Sequence, residues 1–157
     1  GANMDSGNAV WTLEDPYENL RILGPYAITT SLRDTMMWPS ENGFSGQWTA
    51  MGDGLVDWKK YFDLFSKICP KTPVCIETIS GFNFGIDIKK EKYWDNWPKG
   101  KPKGYKKFIA FAKRGKLLPA WKAPDGAGRK KAQQQYQRSD LERSITLCRK
   151  LGLGLNH

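Results

Sequence analysis

The sequence predicts an α/β protein: a parallel sheet with helices packed outside it. Three observations carry that expectation. Over the first 84 residues, short β-branched runs alternate with amphipathic runs in the order β-α-β-β-α-β. Most joints between them lack a tight hairpin signal. The C-terminal ends of the apolar runs collect polar groups, namely Asp5, Ser31 to Asp34, Gln47 to Asp53, and Glu77. A parallel sheet brings such ends to one edge, where α/β proteins carry their sites.

The elements follow in order. "GANMD" reads as a strand ending at Asp5. "DPYENLRILG" reads as a helix, with Asp15 as N-cap, Pro16 in the first helical position, Glu18 in the first turn and Gly24 as the stop. "YAITTSLRD" is the next strand, and "GQWTAMG" is a short extended run closed by Gly52 and Gly54. In "VDWKKYFDLFSKIC", Val56, Trp58, Tyr61, Phe62, Phe65 and Ile68 recur at helical spacing behind an Asp57 cap. "PVCIETI" reads as a strand broken by Gly81.

The remainder, 85–157, has a different character and reads as a basic loop and helical extension of the same domain. "FNFGIDIKKEKYWDNWPKGKPKG" is a long loop, "YKKFIAFAKRGK" a short helix and "LLPAWKAPDGAG" a connector. "RKKAQQQYQRSDLERSITLCRKLG" is a long helix whose buried stripe is expected at Tyr136, Leu141, Ile145, Cys148 and Leu151. Residues 1–88 hold 6 basic against 11 acidic side chains, and residues 89–157 hold 19 against 5. The basic half is mostly lysine without a recognition motif, so a solvated surface is expected and a nucleic-acid partner is not.

Composition bounds the function. The 157 residues suit one compact domain. No apolar run approaches the roughly 20 residues that a bilayer requires, so no membrane partner is expected. The opening residues have neither the basic segment nor the apolar core of a signal peptide, and a cytoplasmic setting is slightly favoured. Cys69, Cys75 and Cys148 form no zinc spacing and are expected as reduced thiols. The only histidine is His157, the last residue, which all but removes histidine chemistry.

Asp5 and Glu77 are the carboxylates that could do chemistry, since each ends an apolar run. Oxygen ligands of this kind suit Mg, Mn, Co or Zn, and two anions buried together require a cation between them. The competing reading is that Asp5 caps a turn and Glu77 pairs with Arg33. "DSGN" places Asp5 before a tight turn with Asn8 just beyond. "MGDG", Met51 to Gly54, lets backbone approach a ligand but is not a phosphate loop. Phe82, Phe84, Tyr93, Trp94 and Trp97 could cover a sugar or base, or simply pack.

The ordered set "MDSGN", "DPYENLRILGPYAITTSLRDT", "QWTAMGDGLVDW" and "VCIETISG", followed by "AFAKRGK" and "LERSITLCRKLGLG", resembles the second half of a sugar phosphate isomerase/epimerase with the xylose-isomerase-like TIM barrel. The resemblance implies strands five to eight of a (β/α)8 barrel, with residues 1–84 forming the half-barrel units. It implies a divalent metal at the barrel mouth and proton transfer by glutamate through a metal-stabilised enediolate. By position, Asp5 matches the metal-binding Asp, and Glu77 matches the last Glu, both ligand and catalytic acid/base. Ser31 stands in the usual His position. Asn8, Arg33, Asp34 and Gln47 are the expected substrate-binding groups. The family's first Glu has no counterpart, so the chain is expected to be a C-terminal fragment that is inactive alone and partnered by the missing half-barrel or a second copy.

The function expected from this resemblance is metal-dependent isomerisation or epimerisation of a sugar or related carbonyl compound. The alternative is a non-catalytic carbohydrate-binding or regulatory protein. An apurinic-site endonuclease is disfavoured, because those enzymes use several histidines.

Overall fold

The computed structural model describes residues 1–154; His157 lies outside the described residues. It overturns the parallel-sheet expectation. Strands β1 (Ala2–Met4) and β2 (Ala27–Thr30) pair in parallel. Strands β3 (Asp34–Ser40), β4 (Gly43–Thr49) and β5 (Asn83–Ile86) form a separate antiparallel sheet in that order. The protein is therefore not half of a TIM barrel, whose strands all run parallel with a helix after each.

The physical reason lies at Ser40–Gly43. These residues pair with each other, leaving Glu41 and Asn42 as a two-residue loop. Parallel strands need a crossover of a dozen or more residues, so a loop this short dictates antiparallel pairing. Gly43, at φ 146°, accepts a backbone angle that disfavours a side chain. The "ENG" in the sequence was the hairpin signal.

Two further strand expectations change. The run "YAITTSLRD" is two strands, interrupted between Thr30 and Asp34. "PVCIETI" contributes only a parallel bridge between Ile76 and Leu32. "FNFGI", expected as loop, supplies β5, and its Phe84 and Ile86 are buried in the core.

The helices follow their local chemistry more closely. In α1 (Pro16–Leu23), the Asp15 carboxylate accepts from the Tyr17 and Glu18 N–H groups at 2.9 Å. In α2 (Trp58–Ile68), Asp57 accepts from Lys60 N–H at 3.1 Å. Both caps satisfy donors that a helix start leaves free. Helix α3 (Tyr105–Ala112) packs Phe108 edge-on against Phe44, with ring centroids 5.7 Å apart.

Helix α4 (Arg129–Lys150) buries Cys148 as expected, but the rest of its buried stripe differs from the one expected. Asp140, Ser144 and Cys148 face inward, whereas Leu141 is exposed. The spacing is still four residues, but polar anchoring chooses the face: Ser144 Oγ accepts from Met51 N–H at 3.0 Å. One apolar core runs through both halves of the chain, from Met4 and Leu32 through Tyr61 to Ile86 and Phe108. All three cysteines are free. Among the described residues, no helix is long and apolar enough to cross a membrane.

Candidate functional site

Backbone pairing brings three distant segments together. Ser31 N–H donates to Met4 O at 2.7 Å, Leu32 N–H to Cys75 O at 2.8 Å, and Glu77 N–H to Leu32 O at 3.0 Å. Asp5, Arg33 and Glu77 stand at or just past these parallel contacts, and they meet through side chains. Arg33 donates to Asp5 through Nη2 at 2.6 Å and Nε at 3.3 Å, and its Nη2 lies 3.5 Å from Glu77 Oε2.

Several contacts fix the Arg33 guanidinium. Its carbon sits 3.7 Å above the Trp48 ring centre, a cation–π geometry. Ser6 clips the Arg33 backbone on both sides: its hydroxyl donates to Arg33 O at 2.7 Å and accepts from Arg33 N–H at 3.1 Å. Gly7 gives the side chain room, since a Cβ there would lie 2.7 Å from Arg33 Cγ. Gly7→Ala should therefore cost about 1–2 kcal/mol of stability, as overpacking does, measured by urea unfolding. Nη1 is buried without a partner among the described residues, the one guanidinium nitrogen not committed to a contact with them.

Asp5 is also a turn cap. It accepts from Gly7 and Asn8 N–H at 3.0 Å and from the Asn8 side-chain amide at 2.7 Å. With the two bonds from Arg33, its carboxylate takes five donors. Exposure separates the two acids: the Asp5 side chain is 12% exposed and the Glu77 side chain 37%. Glu77 is the carboxylate a ligand can reach. Ser31 Oγ accepts from the Asn3 amide at 3.1 Å.

This donor set does not fit a resident divalent ion. The cation between the two carboxylates is Arg33, and the Asp5 oxygens are already engaged. Among the described residues, no three His, Cys, Asp or Glu side chains are grouped to share a metal. The arrangement is the capped turn and Arg33–Glu77 pair that stood as the competing reading of the sequence.

Two expected substrate-binding residues lie elsewhere. Gln47 is buried, and its amide donates to Asn83 at 2.8 Å. Asp34 is fully buried and accepts from Thr35, Gly52 and Val56 N–H at 2.8, 3.0 and 3.1 Å, and from the Trp58 indole at 2.7 Å. It locks the Met51–Gly54 loop and the start of α2 onto β3. A Cβ at Gly54 would collide with Asp34 Oδ1, so the loop closes tightly on the carboxylate. Sequence reasoning missed Ser6, Trp48 and Trp58 as partners; the alternation of Gln47 and Trp48 along β4 was the available signal.

Burial pushes the Asp34 carboxyl up from 3.8 to about 6, against the pull of its four donors. The folded chain thus holds this proton more tightly than the unfolded chain does. The stability linked to that proton is fully present below pH 3.8 and is lost as pH rises through about 6. The Trp58 indole N–H resonance should titrate with a midpoint near 6; a midpoint near 4 means that the carboxyl is hydrated.

Comparison of the chain with protein-family models, with curated proteins and with solved structures finds no match in any of the three.

Proposed function

We propose that this chain acts on a sugar or related hydroxy-carbonyl compound by proton transfer at the carbon next to the carbonyl, the chemistry of an isomerase or epimerase. One observation carries the reading: Asp5, Arg33 and Glu77, from three separate segments of the family resemblance, form a single cluster in which an exposed carboxylate stands beside a buried, oriented guanidinium. Glu77 is the general base. It removes the proton, the C–H electron pair forms the double bond of an enediolate, and the carbonyl oxygen becomes anionic. Arg33 supplies the positive charge that stabilises this oxygen, held in place by Asp5 and Trp48 so that little reorganisation is needed. The O–H proton of the neighbouring carbon passes to the anionic oxygen, and return of the proton from Glu77 to the former carbonyl carbon completes the isomerisation. Epimerisation takes its proton from a water molecule on the opposite face of the original carbon, and Glu77 then releases its own proton to solvent.

A second reading, carbohydrate binding without turnover, is favoured by a different observation. Trp48 stacks on Phe82 with centroids 4.8 Å apart, Trp11 lies 4.8 Å from Phe84, and Phe82 and Trp11 are exposed. Such rings offer apolar faces to a sugar. Incubating the chain with ketoses and aldoses in deuterated water separates the two. Proton transfer predicts deuterium entering the carbon beside the carbonyl, followed by NMR. Saturable binding with no incorporation leaves the binding reading alone.

A further inference from the structure

We infer that the protein carries a second ligand site, distinct from the Arg33 cluster, which takes a neutral, hydroxyl-rich molecule of monosaccharide size. It is a solvent-open cavity of about 630 Å³ between β4, the Met51–Gly54 loop, the connector at Lys116 and helix α4. That volume falls within the range of small-molecule pockets. Gln47 and Thr49 line it, whereas Trp48, between them, carries Arg33 on its ring. Alternate residues of a strand face opposite sides, so the hairpin separates the two sites.

The lining selects the ligand. Thr49 Oγ1 is buried without a hydrogen-bond partner among the described residues. Buried hydroxyls are nearly always partnered, so this one gains a hydrogen bond when a small shift of the wall admits a ligand oxygen. Arg143 donates to Asp53 at 3.1 Å and to Asp140 at 2.5 Å. With Lys116 also on the wall, two cations face two carboxylates. A balanced lining gives a phosphate dianion no net attraction, but it offers both acceptors and donors to hydroxyl groups. Tyr136, stacked on Trp121 at 4.7 Å, adds an aromatic wall for the C–H face of a ring. The glycines of "MGDG" let the loop backbone approach a ligand closely.

The test is residue-resolved NMR of the ¹⁵N-labelled chain titrated with myo-inositol, D-glucose and inorganic phosphate. The two polyols should shift the amides of residues 52–54 and 136–143 saturably, and phosphate should not. Thr49→Val, which removes the orphaned hydroxyl at nearly constant volume, should weaken binding about tenfold, one hydrogen bond's worth, without loss of folding. Binding here should survive Glu77→Gln. The inference is overturned by the absence of saturable shifts at these amides, by a preference for phosphate, or by equal binding to Thr49→Val. Polyol shifts confined to residues 5–8 and 31–33 overturn it too, while leaving the proposed proton-transfer site standing.

Discussion

Asp34→Asn should destabilise the protein by about 3–5 kcal/mol, read from the midpoint of urea unfolding. The substitution is nearly isosteric, so the loss is chemical. Both Asp34 oxygens accept: Oδ1 from Thr35 and Val56, Oδ2 from Gly52 and the Trp58 indole. An amide offers only one acceptor atom. Whichever way the new side chain turned, its NH2 group would face two N–H donors in a fully buried site. Two donors then lose their acceptor, each at about 1–3 kcal/mol, and like dipoles are pressed together. Against a total stability of about 5–15 kcal/mol, a variant in this range is partly unfolded under mild denaturant. If Asp34 were instead a ligand-facing residue, the amide would be tolerated and only binding would change. An unfolding midpoint equal to wild type would therefore remove Asp34 from the frame of the fold.

The helices were legible because their determinants are local. Asp15 before Pro16 and Asp57 before Trp58 each state a helix start within four residues, and both carboxylates cap as their positions suggest. The sheets were not legible, because apolar runs do not say which partner they choose. Asp34 illustrates this. The sequence pattern puts it at the end of a strand, but it begins β3, because its carboxylate is drawn to four donors up to 24 residues away. Helix α4 makes a related point. Its apolar spacing admits a stripe through Leu141 and Ile145, but hydrogen bonding through Asp140 and Ser144 rotates the buried face.

The candidate site was legible in its members and, as one of two competing readings, in the Arg33–Glu77 pair and the Asp5 turn cap. Asp5, Asn8, Arg33 and Glu77 stand out as polar groups after apolar runs, and the structure gathers them. What no spacing revealed is that Arg33, 28 residues from Asp5, also binds Asp5 and so lies between the acids as their shared counter-ion. The same sequence features that argued for a metal, two carboxylates converging from apolar surroundings, are met here by a guanidinium stacked on Trp48. Convergent acids require a cation, but the requirement does not say which one.

Glu77→Gln should lower solvent-deuterium incorporation into sugar by about 10²–10⁴-fold, the usual worth of a general base, and change stability by less than about 0.5 kcal/mol. The two halves of this expectation have separate causes. Glutamine keeps the shape of the side chain but has no basic oxygen to take the proton, so the chemical step fails. Stability is spared because the Glu77 side chain is 37% exposed and its contact to Arg33 is long at 3.5 Å. An ion pair this long, with its carboxylate open to water, contributes little. Arg33 also keeps its main partner, Asp5 at 2.6 Å, so no buried charge is stranded. The combination discriminates, because a Glu77 with no part in the chemistry would leave incorporation unchanged, and a damaged fold would move both measurements. Incorporation that persists in Glu77→Gln places the base on another residue. Loss of incorporation together with full retention of sugar binding assigns Glu77 to the proton itself rather than to holding the substrate.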